Sequence, residues 1–68
     1  MKQILTTKQA ADYLGYSEHT LAMSRSTGKL SGVNAPQFIK AGKAVRYRAE
    51  HLEDWLNQFG TKTETDKG

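Results

Sequence analysis

The sequence predicts a mainly α-helical domain with three helices and one small two-stranded β-hairpin. Three observations lead to this fold class. Two short helical stretches are separated by three residues (15–17), apolar runs flank a glycine in FIKAGKAVRYR (38–48), and apolar residues recur at helical spacing between positions 52 and 59. A chain of 68 residues has room for one small core, so we expect a single domain over residues 1–60 with modest stability.

The first helix is predicted from Leu5 to Leu14. It begins with a capping box, in which the Thr6 hydroxyl accepts a hydrogen bond from the amide three residues on and the Gln9 side chain reaches back. Gly15 suits the left-handed conformation that ends a helix. The apolar residues on one face of this helix are Ala10, Ala11 and Leu14.

The second helix is predicted from Glu18 to about Thr27, with Ser17 as its N-cap and Gly28 at its end. Because only three residues join the two helices, they cannot run antiparallel over much length, and a helix-turn-helix crossing is the natural geometry. An ordinary helical corner carries the same local signals, so the first half of the chain leaves both interpretations open.

Residues 28–36 contain Gly, Ser, Asn and Pro and are predicted to form a loop. In the next segment, Gly42-Lys43 favours a two-residue type II′ hairpin turn, because glycine stands at its first central position. The expected cross-strand pairs are Phe38 with Tyr47, Ile39 with Arg46 and Lys40 with Val45. A three-residue loop would shift these pairs.

The third helix is predicted from an apolar stripe at i, i+3, i+4 and i+7, which consists of Leu52, Trp55, Leu56 and Phe59. We expect the whole stripe to belong to the core and Gly60 to cap the helix. Residues 61–68 contain no apolar side chain, so they are predicted to form a disordered tail.

The composition restricts the class of protein. The chain has no cysteine, which excludes disulfides and thiolate metal sites and leads us to expect a cytoplasmic protein. No apolar run approaches the length of a membrane span, and no signal-peptide segment is visible at the start. With two isolated histidines and no phosphate-binding glycine pattern, we expect neither an enzyme nor a metal or cofactor site.

The distribution of charge is more informative than the net charge of +3. No acidic residue lies between His19 and Ala49, yet six of the ten cations fall there: Arg25, Lys29, Lys40, Lys43, Arg46 and Arg48. Chance clustering on a solvated face is the alternative interpretation. The cations belong to the second helix with its following loop and to the hairpin, two elements that suit the major groove of duplex DNA and the adjacent minor groove.

Candidate DNA-binding residues follow from this arrangement. Those on the second helix are Ser17, His19, Thr20, Ser24 and Arg25, of which Ser17 is the N-cap and the other four are candidates for reading bases. Arg25 could reach either a guanine or a phosphate. Those of the loop and hairpin, which would contact phosphates or the minor groove, are Lys29, Lys40, Lys43, Arg46 and Arg48. The hypothesis requires that the helix and the hairpin present their cations on a common side.

The segments LTTKQAADYLGYSEHTL (5–21) and PQFIKAGKAVRYRAEHLEDWL (36–56) closely resemble the helix-turn-helix domains of the phage excisionase group, which are MerR-like winged helices. The resemblance implies a winged helix-turn-helix in which the second helix is the recognition helix and residues 38–48 form the wing. It implies binding to double-stranded DNA, as an excisionase that directs recombination or as a small regulator of a phage or mobile element. Candidate partners are then an integrase or recombinase and further copies of the chain on DNA.

One departure concerns position 24, which is often a large apolar residue in such domains and is serine here. We expect Met23 or Leu30 to fill the space that this leaves. A second class of function uses the same fold without DNA, as a protein-interaction module of the antitoxin or assembly kind. The salt dependence of binding to duplex DNA distinguishes the two classes.

Overall fold

The computed structural model describes residues 3–60, which form three helices and five short antiparallel strands. The elements are β1 (Ile4–Leu5), α1 (Thr7–Leu14), α2 (Glu18–Thr27), β2 (Lys29–Leu30), β3 (Val33–Asn34), β4 (Ile39–Ala41), β5 (Ala44–Arg48) and α3 (Ala49–Asn57). The three predicted helices and the predicted hairpin are present. The predicted tail, residues 61–68, lies outside the described residues. None of the helices within residues 3–60 has the length and hydropathy of a membrane span.

The first helix begins as its capping box predicts. The Thr6 hydroxyl accepts a hydrogen bond from the Gln9 amide at 3.1 Å, and the Gln9 side chain accepts one from the Thr6 amide at 2.9 Å. Leu5, however, was predicted to start this helix and instead lies in β1, opposite Tyr47 of β5. The prediction was wrong because pairing with a strand more than forty residues away is not visible in the local sequence.

The junction between α1 and α2 follows the predicted caps. Gly15 adopts the left-handed conformation, with φ 84°, and its amide donates to Ala11 O. The Ser17 hydroxyl accepts a hydrogen bond from the Thr20 amide at 3.1 Å and starts α2. The two helices therefore meet through a tight turn of the kind that the three-residue spacing predicted.

The segment after α2 is a miniature hairpin and not the loop that was predicted. Lys29 pairs with Asn34 and Leu30 with Val33. The turn between these strands has positive φ at both of its central residues, Ser31 (54°) and Gly32 (79°), as in a type I′ turn. The prediction failed because strands of two residues are too short to show a period of alternation.

The hairpin β4–β5 has the predicted register. Ile39 lies opposite Arg46 and Lys40 opposite Val45, across the two-residue turn Gly42-Lys43. Gly42 has φ 64°, and Lys43 has no positive φ, which agrees with a type II′ turn. The third predicted pair is seen as a contact between aromatic rings, because the Phe38 and Tyr47 centroids are 6.2 Å apart.

The strands β1, β5 and β4 form one sheet in that order, so β5 is central. Successive side chains of a strand point to opposite faces. Leu5, Val45 and Tyr47 therefore share the face that packs on the core, together with Lys40, which pairs with Val45. Arg46 and Arg48 belong to the outer face, with their cross-strand partners Ile39 and Ile4.

The core draws on every helix and on the sheet. Its buried residues are Leu5, Ala10, Ala11, Leu21, Leu30, Tyr47, Leu52 and Trp55. Of the two residues expected to compensate for Ser24, Leu30 is buried in the core and Met23 is exposed. The indole N–H of Trp55 donates to the Asn34 carbonyl at 2.6 Å, which ties α3 to the miniature hairpin.

The stripe of α3 is only partly core, contrary to the prediction. Leu52 is fully buried and Trp55 nearly so, whereas Leu56 is 37% exposed and Phe59 is 44% exposed. The prediction that Gly60 caps this helix was wrong, because the helix ends at Asn57 with Gln58 as its C-cap. Gly60 lies beyond this end with φ 74°. Phe59 is outside the helix and packs edge-on against the Trp55 ring at 5.0 Å. The core is thus too small to cover more than the first two positions of the stripe.

Substitutions of two leucines one turn apart on α3 test whether only the first part of the stripe belongs to the core. Replacing Leu52 with Ala should lower the free energy of unfolding by about 2–5 kcal/mol, because it leaves a cavity in the core. The matched change Leu56→Ala should cost about 1 kcal/mol or less, because this side chain is partly solvated. Urea denaturation followed by circular dichroism measures both. Equal losses would contradict the partition of the stripe.

Candidate nucleic-acid interface

The solvent-facing side of α2 lies opposite the two residues of this helix that are buried in the domain. Leu21 and Ser24 are buried at 0% and 2% exposure and mark the inner face. At 100° per residue, the opposite face carries His19, Met23 and Ser26, and all three are exposed. This face offers an imidazole, a thioether and a hydroxyl, which together can donate and accept hydrogen bonds and make an apolar contact.

Ser24, which the sequence suggested as a base-reading residue, is not on that face. It is 2% exposed, and its hydroxyl donates to the Leu21 carbonyl at 2.6 Å. The structure therefore corrects this assignment, because a buried hydroxyl with its proton donated to the backbone is not available to a base edge. Serine at an inner position of a helix satisfies itself by such a bond to the preceding turn.

Ser17 and Thr20 stand at the exposed start of α2. The Ser17 hydroxyl donates to Thr20 Oγ1 at 2.8 Å while it accepts from the Thr20 amide. Both hydroxyls are thus engaged in the cap, although both residues are exposed. His19 is exposed beside them, and no hydrogen bond within residues 3–60 occupies its side chain.

Arg25 is partly buried at the junction of α2, α1 and the sheet. Its Nη1 donates to Thr7 Oγ1 at 3.2 Å and to the Tyr47 hydroxyl at 3.1 Å. The guanidinium carbon lies 5.8 Å from the centre of the Phe38 ring, within the range of a cation–π contact. The sequence suggested Arg25 as a base reader, and the structure shows that it also connects four segments of the fold.

The hairpin carries its cations on both faces. Lys40 and Lys43 are exposed on β4 and at the turn, whereas Arg46 and Arg48 are partly exposed on the outer face of β5. Arg46 donates from Nη1 to the Val45 carbonyl at 2.8 Å. The expectation that all hairpin cations share one side with α2 is therefore wrong, because the alternation of β5 turns Arg46 and Arg48 away from Tyr47 and Arg25.

No ion pair joins the cations of this region to a carboxylate of residues 3–60. Lys29 uses its ammonium group to contact Asn34 Oδ1 at 3.1 Å, on the miniature hairpin. Among the residues that the structure describes, the recorded ion pair is Lys8 with Asp12 at 3.6 Å on α1, far from the hairpin in sequence. The positive charges of α2, the miniature hairpin and β4–β5 thus remain uncompensated by carboxylates of residues 3–60.

Met23 and Ser26 were not among the binding residues predicted from the sequence. The signal that identifies them is the helical period counted from the buried Leu21, which places both on the side away from the core. The same count would have placed Ser24 inside. Ser24 was assigned to the exposed face because serine is usually exposed in proteins.

The part of the chain between residues 3 and 60 holds no group of three His, Cys, Asp or Glu side chains that could bind a metal ion. A family model described as a helix-turn-helix domain matches residues 4–60, well over half of the chain. A search of curated proteins found no match.

The hydroxyl of Tyr47 provides a test of the Arg25 junction. Tyr47→Phe should lower the free energy of unfolding by about 1–2 kcal/mol, because a charged guanidinium loses one hydrogen-bond acceptor. Tyr13→Phe is the matched control, since its hydroxyl contacts Glu53 at 3.5 Å on the exposed surface and should cost less than about 0.5 kcal/mol. Thermal unfolding measures both changes, and equal losses would show that the Tyr47 hydroxyl does not hold Arg25.

Proposed function

The chain belongs to the helix-turn-helix domain family, and from this membership we propose that it binds double-stranded DNA. The observation that supports the proposal best is the run of cations from Arg25 to Arg48, which no carboxylate of residues 3–60 neutralises. Such a surface attracts the phosphate backbone, which provides most of the affinity of proteins for DNA. This role agrees with the cytoplasmic location that the lack of cysteine led us to expect.

In the proposed complex, α2 is the recognition helix and lies in the major groove, which at about 12 Å is wide enough for a helix. His19, Met23 and Ser26 form the face that meets the base edges, with Thr20 beside them. A histidine can donate or accept, and a methionine can pack on a thymine methyl group. These residues supply the sequence preference, and Ser17 positions the end of the helix.

The hairpin β4–β5 is the proposed wing. It ends in the Gly42-Lys43 turn, and β4 is an edge strand of the sheet. A hairpin that enters the minor groove with its edge first has a phosphate strand on either side, because that groove is only about 6 Å wide. Cations on both faces can then contact phosphates: Lys40 on one side, Arg46 and Arg48 on the other, and Lys43 at the tip. Lys29 adds a contact from the miniature hairpin.

The biological role that we propose is that of an excisionase or a small regulator of a phage or mobile element. Both roles need the same contacts and differ in how many copies bind one site. A domain of this size covers little DNA, so useful affinity would come from copies bound side by side or from a recombinase partner. Footprinting on DNA of the source locus distinguishes the roles: a phased row of protected sites indicates an excisionase, and one short site indicates a regulator.

The first test of the proposal is the salt dependence of binding to a duplex. We expect four to six phosphate contacts, so the logarithm of the association constant should fall against the logarithm of salt concentration with a slope of about −3.6 to −5.4. Fluorescence anisotropy of a labelled duplex, recorded between about 50 and about 200 mM salt, measures this slope. A flat dependence, or no binding at low salt, would favour the protein-interaction module instead.

The second test compares a cation of the hairpin with one of α1. Arg46→Ala should weaken binding to all duplex sequences alike and make the salt slope shallower by about 0.9, because one phosphate contact is lost. Lys8→Ala removes the same charge from a side chain that is 70% exposed and paired with Asp12, so it should leave the slope unchanged. Equal effects of the two changes would show that net charge, and not the hairpin, determines binding.

A further inference from the structure

We propose that Arg25 binds a backbone phosphate of DNA in the cleft between α2 and the segment that leads into β4. The inference rests on the proposed function and deepens it, because it changes Arg25 from a base reader into a phosphate ligand held by the fold. It also specifies where the sugar-phosphate strand passes between the recognition helix and the hairpin.

The guanidinium of Arg25 is held by contacts from three other segments of the fold. Nη1 donates to two hydroxyls, those of Thr7 and Tyr47, and the Phe38 ring lies beside the guanidinium carbon. These contacts orient the group from three sides without neutralising it, since hydroxyls and a ring carry no charge. A guanidinium that is oriented in this way loses little conformational entropy when it takes up a ligand.

The other two nitrogens of the Arg25 guanidinium remain available to a ligand. Within residues 3–60, neither Nε nor Nη2 of Arg25 has a hydrogen-bond acceptor, and neither is buried away from solvent. Nε and Nη2 form the edge of a guanidinium that binds a phosphate or a carboxylate with two parallel hydrogen bonds. No carboxylate of the described chain pairs with it. A partly buried charge without a counter-charge is unfavourable in the free protein and favourable once an anion arrives.

Arg25 also lines an open cleft of about 410 Å³. The cleft lies between Ser24, Arg25 and Gly28 on one side and residues 35–38 on the other. None of the residues of the described chain that line it is acidic. The carbonyls of Ser24 and Gly28 already accept hydrogen bonds from the Gly28 and Ala35 amides, which lessens their repulsion of an anion. The cleft is large enough for a phosphodiester group and lies between the two proposed DNA-binding elements.

Salt dependence tests the inference. Arg25→Gln removes the charge but keeps a polar side chain, and it should make the salt slope shallower by about 0.9 on two duplexes of unrelated sequence. The ratio of affinities at low and fourfold higher salt should therefore shrink by about 3.5-fold for both duplexes. Lys8→Gln is the matched control and should leave this ratio unchanged. A base-reading Arg25 would instead change the preference between the duplexes.

A second measurement uses the unchanged protein, so it tests the inference even if the Arg25→Gln variant does not fold. The chain has three arginines, so its NMR spectrum contains three side-chain Nε–H signals, and Arg25→Lys identifies the one of Arg25. This signal should shift on addition of either duplex, because Nε would gain a phosphate acceptor. A signal that stays in place while the protein is bound would overturn the inference.

The two proposals fail in different ways. If the unchanged protein binds duplex DNA without salt dependence, both the proposed function and the role of Arg25 are wrong. If it binds with a steep slope that Arg25→Gln leaves intact, only the phosphate site is wrong, and Arg25 is then a structural residue. If the loss is confined to one duplex sequence, Arg25 reads a base.

Discussion

Tyr47 is fully buried in the central strand of the sheet, and its hydroxyl accepts a hydrogen bond from Arg25 of the second helix. Its backbone position pairs with Leu5, so the same residue joins the start of the chain to the hairpin. In a domain with so small a core, one large side chain that contacts strands and helix together determines how they are oriented. Tyr47 therefore links the second helix directly to the hairpin.

The orientation of Tyr47 also determines where the charges of the hairpin lie. Because Tyr47 points inward, its neighbours Arg46 and Arg48 must point outward, and the lysine opposite Val45 shares the inner side. The hairpin is consequently basic on both faces. This arrangement suits an element that lies between two phosphate strands better than one that lies flat on a single strand.

The cations between His19 and Ala49 affect both the stability of the domain and its proposed function. Like charges that are close together oppose folding, and a protein selected for stability alone would pair them with acids. Here the acids of the described chain lie on either side of the segment from His19 to Ala49, in the first helix, at the start of the second and in the third. The same separation that reduces stability leaves the second helix and the hairpin free to attract a polyanion.

The caps of the first two helices and the hairpin register could be predicted from sequence because their hydrogen bonds close within a few residues. Thr6 with Gln9, Ser17 with Thr20 and the turn at Gly42 all satisfy groups that are neighbours along the chain. Residue type and spacing are then enough, and the tertiary environment changes little.

Residue type and spacing did not predict which side chains are buried. Ser24 is 2% exposed and Leu56 is 37% exposed, although serine is the polar residue and leucine the apolar one. The strand at Leu5 and the contacts of Arg25 likewise join residues far apart in sequence. The sequence by itself determined where the first two helices end, how the hairpin turns and which segment is basic. Only the tertiary structure decided which face of each element is covered, because covering depends on segments that meet after the chain has folded.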